Sequence, residues 1–74
     1  MFVHAFIVPD IDPSEKLMDV WNFALDEMYQ WQWAQTPPLK GCALAYAGKT
    51  KNAAGLYDYE FEVYQMTNEY IIIN

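Results

Sequence analysis

The feature that most constrains this chain is one long helix with clear start and stop signals. Residues 12–15 (DPSE) place Asp12 as an N-cap, followed by a proline and a glutamate at positions that helix starts favour. The Pro-Pro pair at 37–38 prevents the helix from continuing. Between these signals, apolar side chains recur at helical spacing: Leu17, Val20, Trp21, Ala24, Leu25, Met28 and Trp31. The pattern predicts a helix over 13–35 that buries this stripe.

Four other segments have the composition of β-strands: 1–8, 41–47, 56–64 and 69–73. The first is apolar on both faces, which predicts a central strand that ends at Pro9. In the second, we expect the small side chains at alternate positions to let the helix approach closely: Ala43, Ala45 and Ala47.

The element order β-α-β-β-β predicts an α+β fold. One long helix would cover a four-stranded, mainly antiparallel sheet in a two-layer sandwich, with residues 1–74 forming a single domain. With 54% apolar and only 19% charged residues, the chain has the composition of a compact core and not of a disordered segment.

The charge balance limits the class of partner. Ten acidic residues against four lysines give a net charge of −6. A protein of this charge is not expected to bind nucleic acid directly, because such binding needs a basic surface. A basic protein is the partner that this charge favours.

The single cysteine, Cys42, excludes an internal disulfide, and the single histidine, His4, excludes a zinc site of the usual ligand spacing. A small domain without disulfides is expected in a reducing cytoplasm. Residues 1–8 lack the features of a signal peptide, and no apolar run approaches the roughly 20 residues that cross a bilayer. We therefore expect a complete cytoplasmic gene product that makes no membrane contact.

Three patterns in the sequence resemble parts of catalytic or ligand-binding sites. The segment 43–50 (ALAYAGKT) is one residue away from a P-loop, but its surroundings predict a hairpin loop at 48–55. His4 and Cys42 lie among apolar neighbours with no third group to orient the histidine.

Turn formation explains the acidic pair Asp10 and Asp12, with a divalent cation on that turn as the alternative. Asp26 and Glu27 are adjacent on a helix, so their side chains diverge. The sequence thus predicts no enzyme activity, no cofactor and no metal.

An acidic row in the predicted third strand is more informative. Asp58, Glu60 and Glu62 alternate with apolar residues, so their carboxylates should share one sheet face at steps of about 6.6–6.8 Å. This step is similar to the spacing of phosphates along a nucleic-acid strand. A plain solvated sheet face is the alternative.

The outer face of the predicted helix combines two acids with two aromatic residues: Asp19, Asp26, Tyr29 and Trp33. Exposed aromatic side chains beside acids are typical of protein interfaces. Partial burial under the proline-containing loop is the alternative.

These features predict a small acidic protein-binding module, with the acidic row and the helix outer face as its partner-binding residues. The hypothesis is an inhibitor that imitates nucleic acid and blocks a nucleic-acid-binding or defence protein, such as a nuclease complex. Small phage or mobile-element proteins that block restriction systems or CRISPR complexes form such a class and act in the host cytoplasm. The alternative is a homodimer that buries an aromatic sheet face, with a ligand between the subunits as one variant.

Overall fold

The structure, a computed structural model, describes residues 1–66. Its elements are β1 (Phe2–Ile11), α1 (Leu17–Ala34), β2 (Cys42–Lys51) and β3 (Tyr57–Gln65). The fold is α+β, with one helix and a three-stranded antiparallel sheet. The fourth strand predicted at 69–73 lies outside the described residues, so the β-α-β-β-β order and the four-stranded sheet are not confirmed.

The strand order in this sheet is β1-β3-β2, and β3 pairs antiparallel with both neighbours. Among the described strands β3 is central and β1 lies at an edge, so the prediction that the first strand lies at the centre is not confirmed. The side chains of β1 that face away from the helix stay accessible, and Ile7 is 57% exposed. Apolar residues on both faces of a strand thus did not mean burial on both faces.

Pro9 does not end β1, which continues to Ile11. The ladder with β3 is irregular between Val8 and Ile11, and Asp10 has a φ of 59° in this interval. A proline is tolerated there because an irregular segment at the edge of the described sheet does not need its missing N–H.

The helix begins four residues later than predicted, because Asp12 forms a turn instead of capping it. The Oδ1 of Asp12 accepts hydrogen bonds from the N–H of Ser14 at 2.8 Å and from its hydroxyl at 2.6 Å. The N-cap residue is Lys16, whose carbonyl accepts the N–H groups of Asp19 and Val20. The predicted end of the helix is confirmed to within one residue.

Most of the predicted apolar stripe faces the sheet. Val20, Ala24 and Met28 are buried, and Trp21 packs edge-on against Phe61 with ring centres 6.1 Å apart. Leu17 is an exception, since the first residue of the helix remains exposed. The buried side of α1 therefore begins at Val20, one turn later than the periodicity indicated.

Near the other end of the helix, Trp31 stacks on His4 of β1. Their ring centres are 4.3 Å apart and their planes differ by 3°. This stack fixes the end of α1 to β1.

The alanines of β2 do not face the helix, so that prediction is wrong. Ala43 and Ala45 pair with Tyr64 and Glu62, whereas Leu44 packs against the core. The larger Leu44 side chain gains more from burial than an alanine does, and alternation then places the alanines on the open face. The helix therefore does not approach the sheet at the alanines of β2.

Candidate protein-binding surface

The acidic row lies on the sheet face opposite the helix. In β3, Tyr59, Phe61 and Val63 are buried beneath α1. Alternation therefore points the intervening residues to the open face: Asp58, Glu60 and Glu62. We call these three residues the acidic ridge. Because β3 is the central strand of the described sheet, the ridge runs along the middle of that face.

Apolar residues, three of them small, flank the middle of the acidic ridge. Glu62 lies between Ala5 of β1 and Ala45 of β2, and Glu60 lies between Ile7 and Gly48. Methyl groups and a glycine beside the glutamates neither cover the carboxylates nor offer them a hydrogen bond or a charge.

A depression of about 420 Å³ adjoins the ridge. Its lining includes Ala5, Ile7, Ala47, Glu60 and Glu62. A partner side chain can therefore lie beside the glutamates and reach the floor of the sheet.

A β-bulge in β2 keeps Lys49 off this face. Tyr46 pairs with Phe61 and Gly48 pairs with Glu60, so Ala47 is an extra residue without a partner. Beyond the bulge, Lys49 pairs with Tyr59, on the helix side of the sheet.

Without the bulge, a regular ladder would place Lys49 opposite Asp58, because one residue of register exchanges the two faces of a strand. The positive φ of Gly48, 127°, belongs to this irregularity. The bulge therefore keeps the lysine charge apart from the ridge.

The three carboxylates differ in how strongly the protein holds them. The Oδ1 of half-buried Asp58 accepts the N–H of Asp10 and the Nδ2 of Asn52, each at 3.1 Å. The same Nδ2 donates to the Oδ1 of Asp10 at 2.8 Å. Asp58 thus ties the β2–β3 hairpin to the end of β1, and Glu60 and Glu62 are the acids of the ridge that remain for a partner.

At the other end of the ridge, the Tyr64 hydroxyl donates a hydrogen bond of 2.7 Å to Oε1 of Glu62. This hydrogen bond and the negative charge of Glu62 raise the pKa of Tyr64 above its usual value. Tyr64 also meets the ring of Phe2 edge to face, with ring centres 5.8 Å apart. The ridge therefore ends in an aromatic pair.

The helix outer face is the second group of predicted site residues. Asp19 and Asp26 are exposed there, and Tyr29 and Trp33 are 51% and 68% exposed. Because the acidic ridge lies on the far side of the sheet, the two groups point in opposite directions. The structure does not bring them together into one surface.

His4 lies in β1, and Cys42 and the P-loop-like segment lie in β2. Burial raises the pKa of the Cys42 thiol, which lowers its thiolate fraction, and His4 is stacked on Trp31. The P-loop-like segment lies within β2 and leads into a hairpin. Among residues 1–66, no group of three or more His, Cys, Asp or Glu side chains is arranged to hold a metal ion. In the same part of the chain, no helix is both long enough and apolar enough to cross a membrane.

Three residues that shape this surface were not identified from the sequence: Asn52, Ala47 and Tyr64. Asn52 lies in a stretch with turn-forming residues, which is a typical signal for an Asx turn. Tyr64 follows the acidic row in the same alternation and could have been assigned to the same face. The bulge at Ala47 has no comparable signal beyond the glycine that follows it.

Comparisons of this chain with protein-family models, with curated proteins and with solved structures gave no match.

Proposed function

We propose that this protein is a non-enzymatic binding module whose acidic ridge occupies the basic groove of a nucleic-acid-binding protein. The observation that carries the proposal is the placement of Glu60 and Glu62 on the central described strand, flanked by apolar residues, with Lys49 turned to the other face. Such a surface offers two neighbouring carboxylates to arginine and lysine side chains.

The spacing supports imitation of nucleic acid. Alternate residues of a strand are about 6.6–6.8 Å apart, which is similar to the step between successive phosphates of a nucleic-acid strand. A protein that fills such a groove acts as an inhibitor, since the groove cannot hold nucleic acid at the same time. Association of oppositely charged surfaces is also accelerated by electrostatic steering.

The proposed target also suggests where the protein comes from and where it acts. We propose that the target is a nuclease complex or another defence protein, that the chain is encoded by a phage or mobile element, and that it acts in the host cytoplasm. We also propose that 69–73 adds a fourth strand to the sheet.

The alternative of a homodimer through an aromatic sheet face has less support. Tyr59 and Phe61, two aromatic side chains of β3, are buried against the helix, so they are not available to a second copy. The open face carries the acidic ridge along its middle, beside the exposed Ile7 and the Phe2–Tyr64 pair, and two copies packed through it would bring like charges together.

The experiment is affinity capture from a bacterial lysate on the immobilised protein, with duplex DNA as the eluent. We expect basic nucleic-acid-binding proteins to be retained and to be released by DNA more completely than by sodium chloride of equal ionic strength. Retained proteins that DNA does not release would contradict the proposal, because a mimic and nucleic acid compete for the same groove.

A further inference from the structure

We propose that the outer face of α1 is a second docking surface, which binds an arginine- or lysine-bearing polypeptide segment independently of the acidic ridge. It consists of Asp19, Phe23, Asp26, Tyr29 and Trp33. The proposal does not depend on the ridge acting as a nucleic-acid mimic.

Exposure of large aromatic side chains is the first observation. Phe23, Tyr29 and Trp33 are 54%, 51% and 68% exposed, although they belong to the same helix whose other side is buried. Tyr29 and Trp33 are four residues apart, so their rings lie on adjacent turns. Aromatic side chains of this size are the usual centres of binding energy in protein interfaces.

Charge is the second observation, and it selects the occupant. The eighteen residues of α1 include Asp19, Asp26 and Glu27 but no lysine, arginine or histidine. An arginine on this face can stack on Trp33 or Tyr29 while it approaches the carboxylate of Asp26. Basic side chains thus complement both the aromatic and the acidic groups.

The same charge argues against two other occupants. A second copy in a symmetric dimer would place the acids of one helix against those of its partner. An anionic membrane surface would repel Asp19 and Asp26. A basic polypeptide segment is therefore the occupant that fits.

The position of this face has a consequence for stoichiometry. The helix outer face and the acidic ridge lie on opposite sides of the two-layer fold, so one protein molecule can hold two basic segments at once. Loss of one surface should leave the other able to bind.

The test uses amide NMR of the full chain with a synthetic peptide probe. The probe is an alanine peptide with arginine at every fourth position, and the control peptide has glutamine in place of arginine. We expect the arginine peptide to shift amides of residues 19–33, and the glutamine peptide to leave them unchanged. Trp33→Ala should weaken this binding by about tenfold or more, and Trp33→Phe should retain most of it.

The ridge variant Glu60→Gln/Glu62→Gln separates this proposal from the previous one. Its affinity for the arginine peptide, measured from the amides of residues 19–33, should stay within about twofold of the wild-type value, even if the ridge has no partner at all. Unchanged affinity of Trp33→Ala, or shifts confined to the ridge, would overturn the second surface. Two further results would overturn it, because each would show that the chain itself occupies the face. One is a change in the outer-face amide shifts with protein concentration alone, and the other is a change in the amide shifts of residues 67–74 in Trp33→Ala.

Discussion

Lys49 of β2 lies opposite Tyr59 of β3 and not opposite Asp58. Its ammonium nitrogen is 5.6 Å from the centre of the Tyr59 ring and 4.5 Å from that of Tyr57. These distances allow cation–π attraction on the helix side of the sheet. The bulge at Ala47 thus places Lys49 on two tyrosines and keeps its positive charge away from the acidic ridge.

The bulge depends on the backbone of Gly48, which has a φ of 127° that other residues rarely adopt. Gly48→Ala should lower the free energy of unfolding by about 1–3 kcal/mol, because this conformation strains a residue with a Cβ. Steric contact is not the reason, since a Cβ at Gly48 would meet nothing within 4 Å. Urea denaturation measures the effect, and Ala47→Gly is the control. Equal stability of Gly48→Ala and the wild type would contradict the assigned bulge.

Asn52 should be the most sensitive polar residue of the hairpin. Its Oδ1 accepts the N–H groups of Ala54 and Leu56, and its Nδ2 donates to Asp10 and Asp58. Asn52→Ala should lower the free energy of unfolding by about 1–3 kcal/mol through loss of these bonds.

Asn52→Asp is the matched variant, because it keeps the acceptor but replaces the donor by a third carboxylate. Its destabilisation should be greater at neutral pH than in acid, where protonation relieves the repulsion. Urea denaturation at both pH values checks this, and a pH-independent loss would show that the donor does not face two acids.

The hydrogen bonds of Asp12 predict that the stability of the folded protein depends on pH. The hydrogen bonds from the side chain and the backbone N–H of Ser14 lower the pKa of Asp12 below its usual value. A carboxylate with a lowered pKa in the folded state stabilises the fold above its unfolded pKa of about 3.9, and this contribution disappears as the pH falls through the folded value.

Asp12→Ala should therefore be less stable than the wild type at neutral pH, and the difference should shrink below about pH 4. Thermal unfolding at several pH values measures this, with Asp19→Asn as the control for charge. A difference that grows as the pH falls would be inconsistent with the turn.

The two faces of α1 can be compared with two tryptophans. Trp21 is half-buried against Phe61, so Trp21→Ala should lower the free energy of unfolding by about 3 kcal/mol. Trp33→Ala should change it by no more than about 0.5 kcal/mol, because its side chain is largely exposed. Chemical denaturation of both variants tests the assignment, and similar losses would mean that the outer face is packed.

Periodicity predicted the parts of this fold that depend on a simple repeat. The 3.6-residue pattern identified Val20, Ala24 and Met28 as buried, and the two-residue pattern placed Glu60 and Glu62 together on one sheet face. In each case burial of the apolar residues fixes where the polar ones point.

Local competition explains what the sequence did not predict. Asp12 can cap a helix or close a turn, and the same side-chain oxygen serves both, so its residue type does not decide where the helix begins. The bulge at Ala47 inserts a residue without changing the composition of the strand. Strand order depends on contacts between distant segments, which no local pattern specifies.

The central claim is that carboxylates on the open sheet face, and not negative charge in general, bind the basic partner. It is tested by capture from a bacterial lysate on three immobilised proteins: the wild type, Glu60→Gln/Glu62→Gln and Asp19→Asn/Asp26→Asn. Both double variants lose two negative charges at exposed or half-buried positions, so they match in net charge and change opposite faces of the fold. The measured quantity is the amount of protein that duplex DNA releases from each. We expect the Glu60→Gln/Glu62→Gln protein to lose most of this fraction and the Asp19→Asn/Asp26→Asn protein to keep most of it, and equal losses in the two variants would contradict the claim.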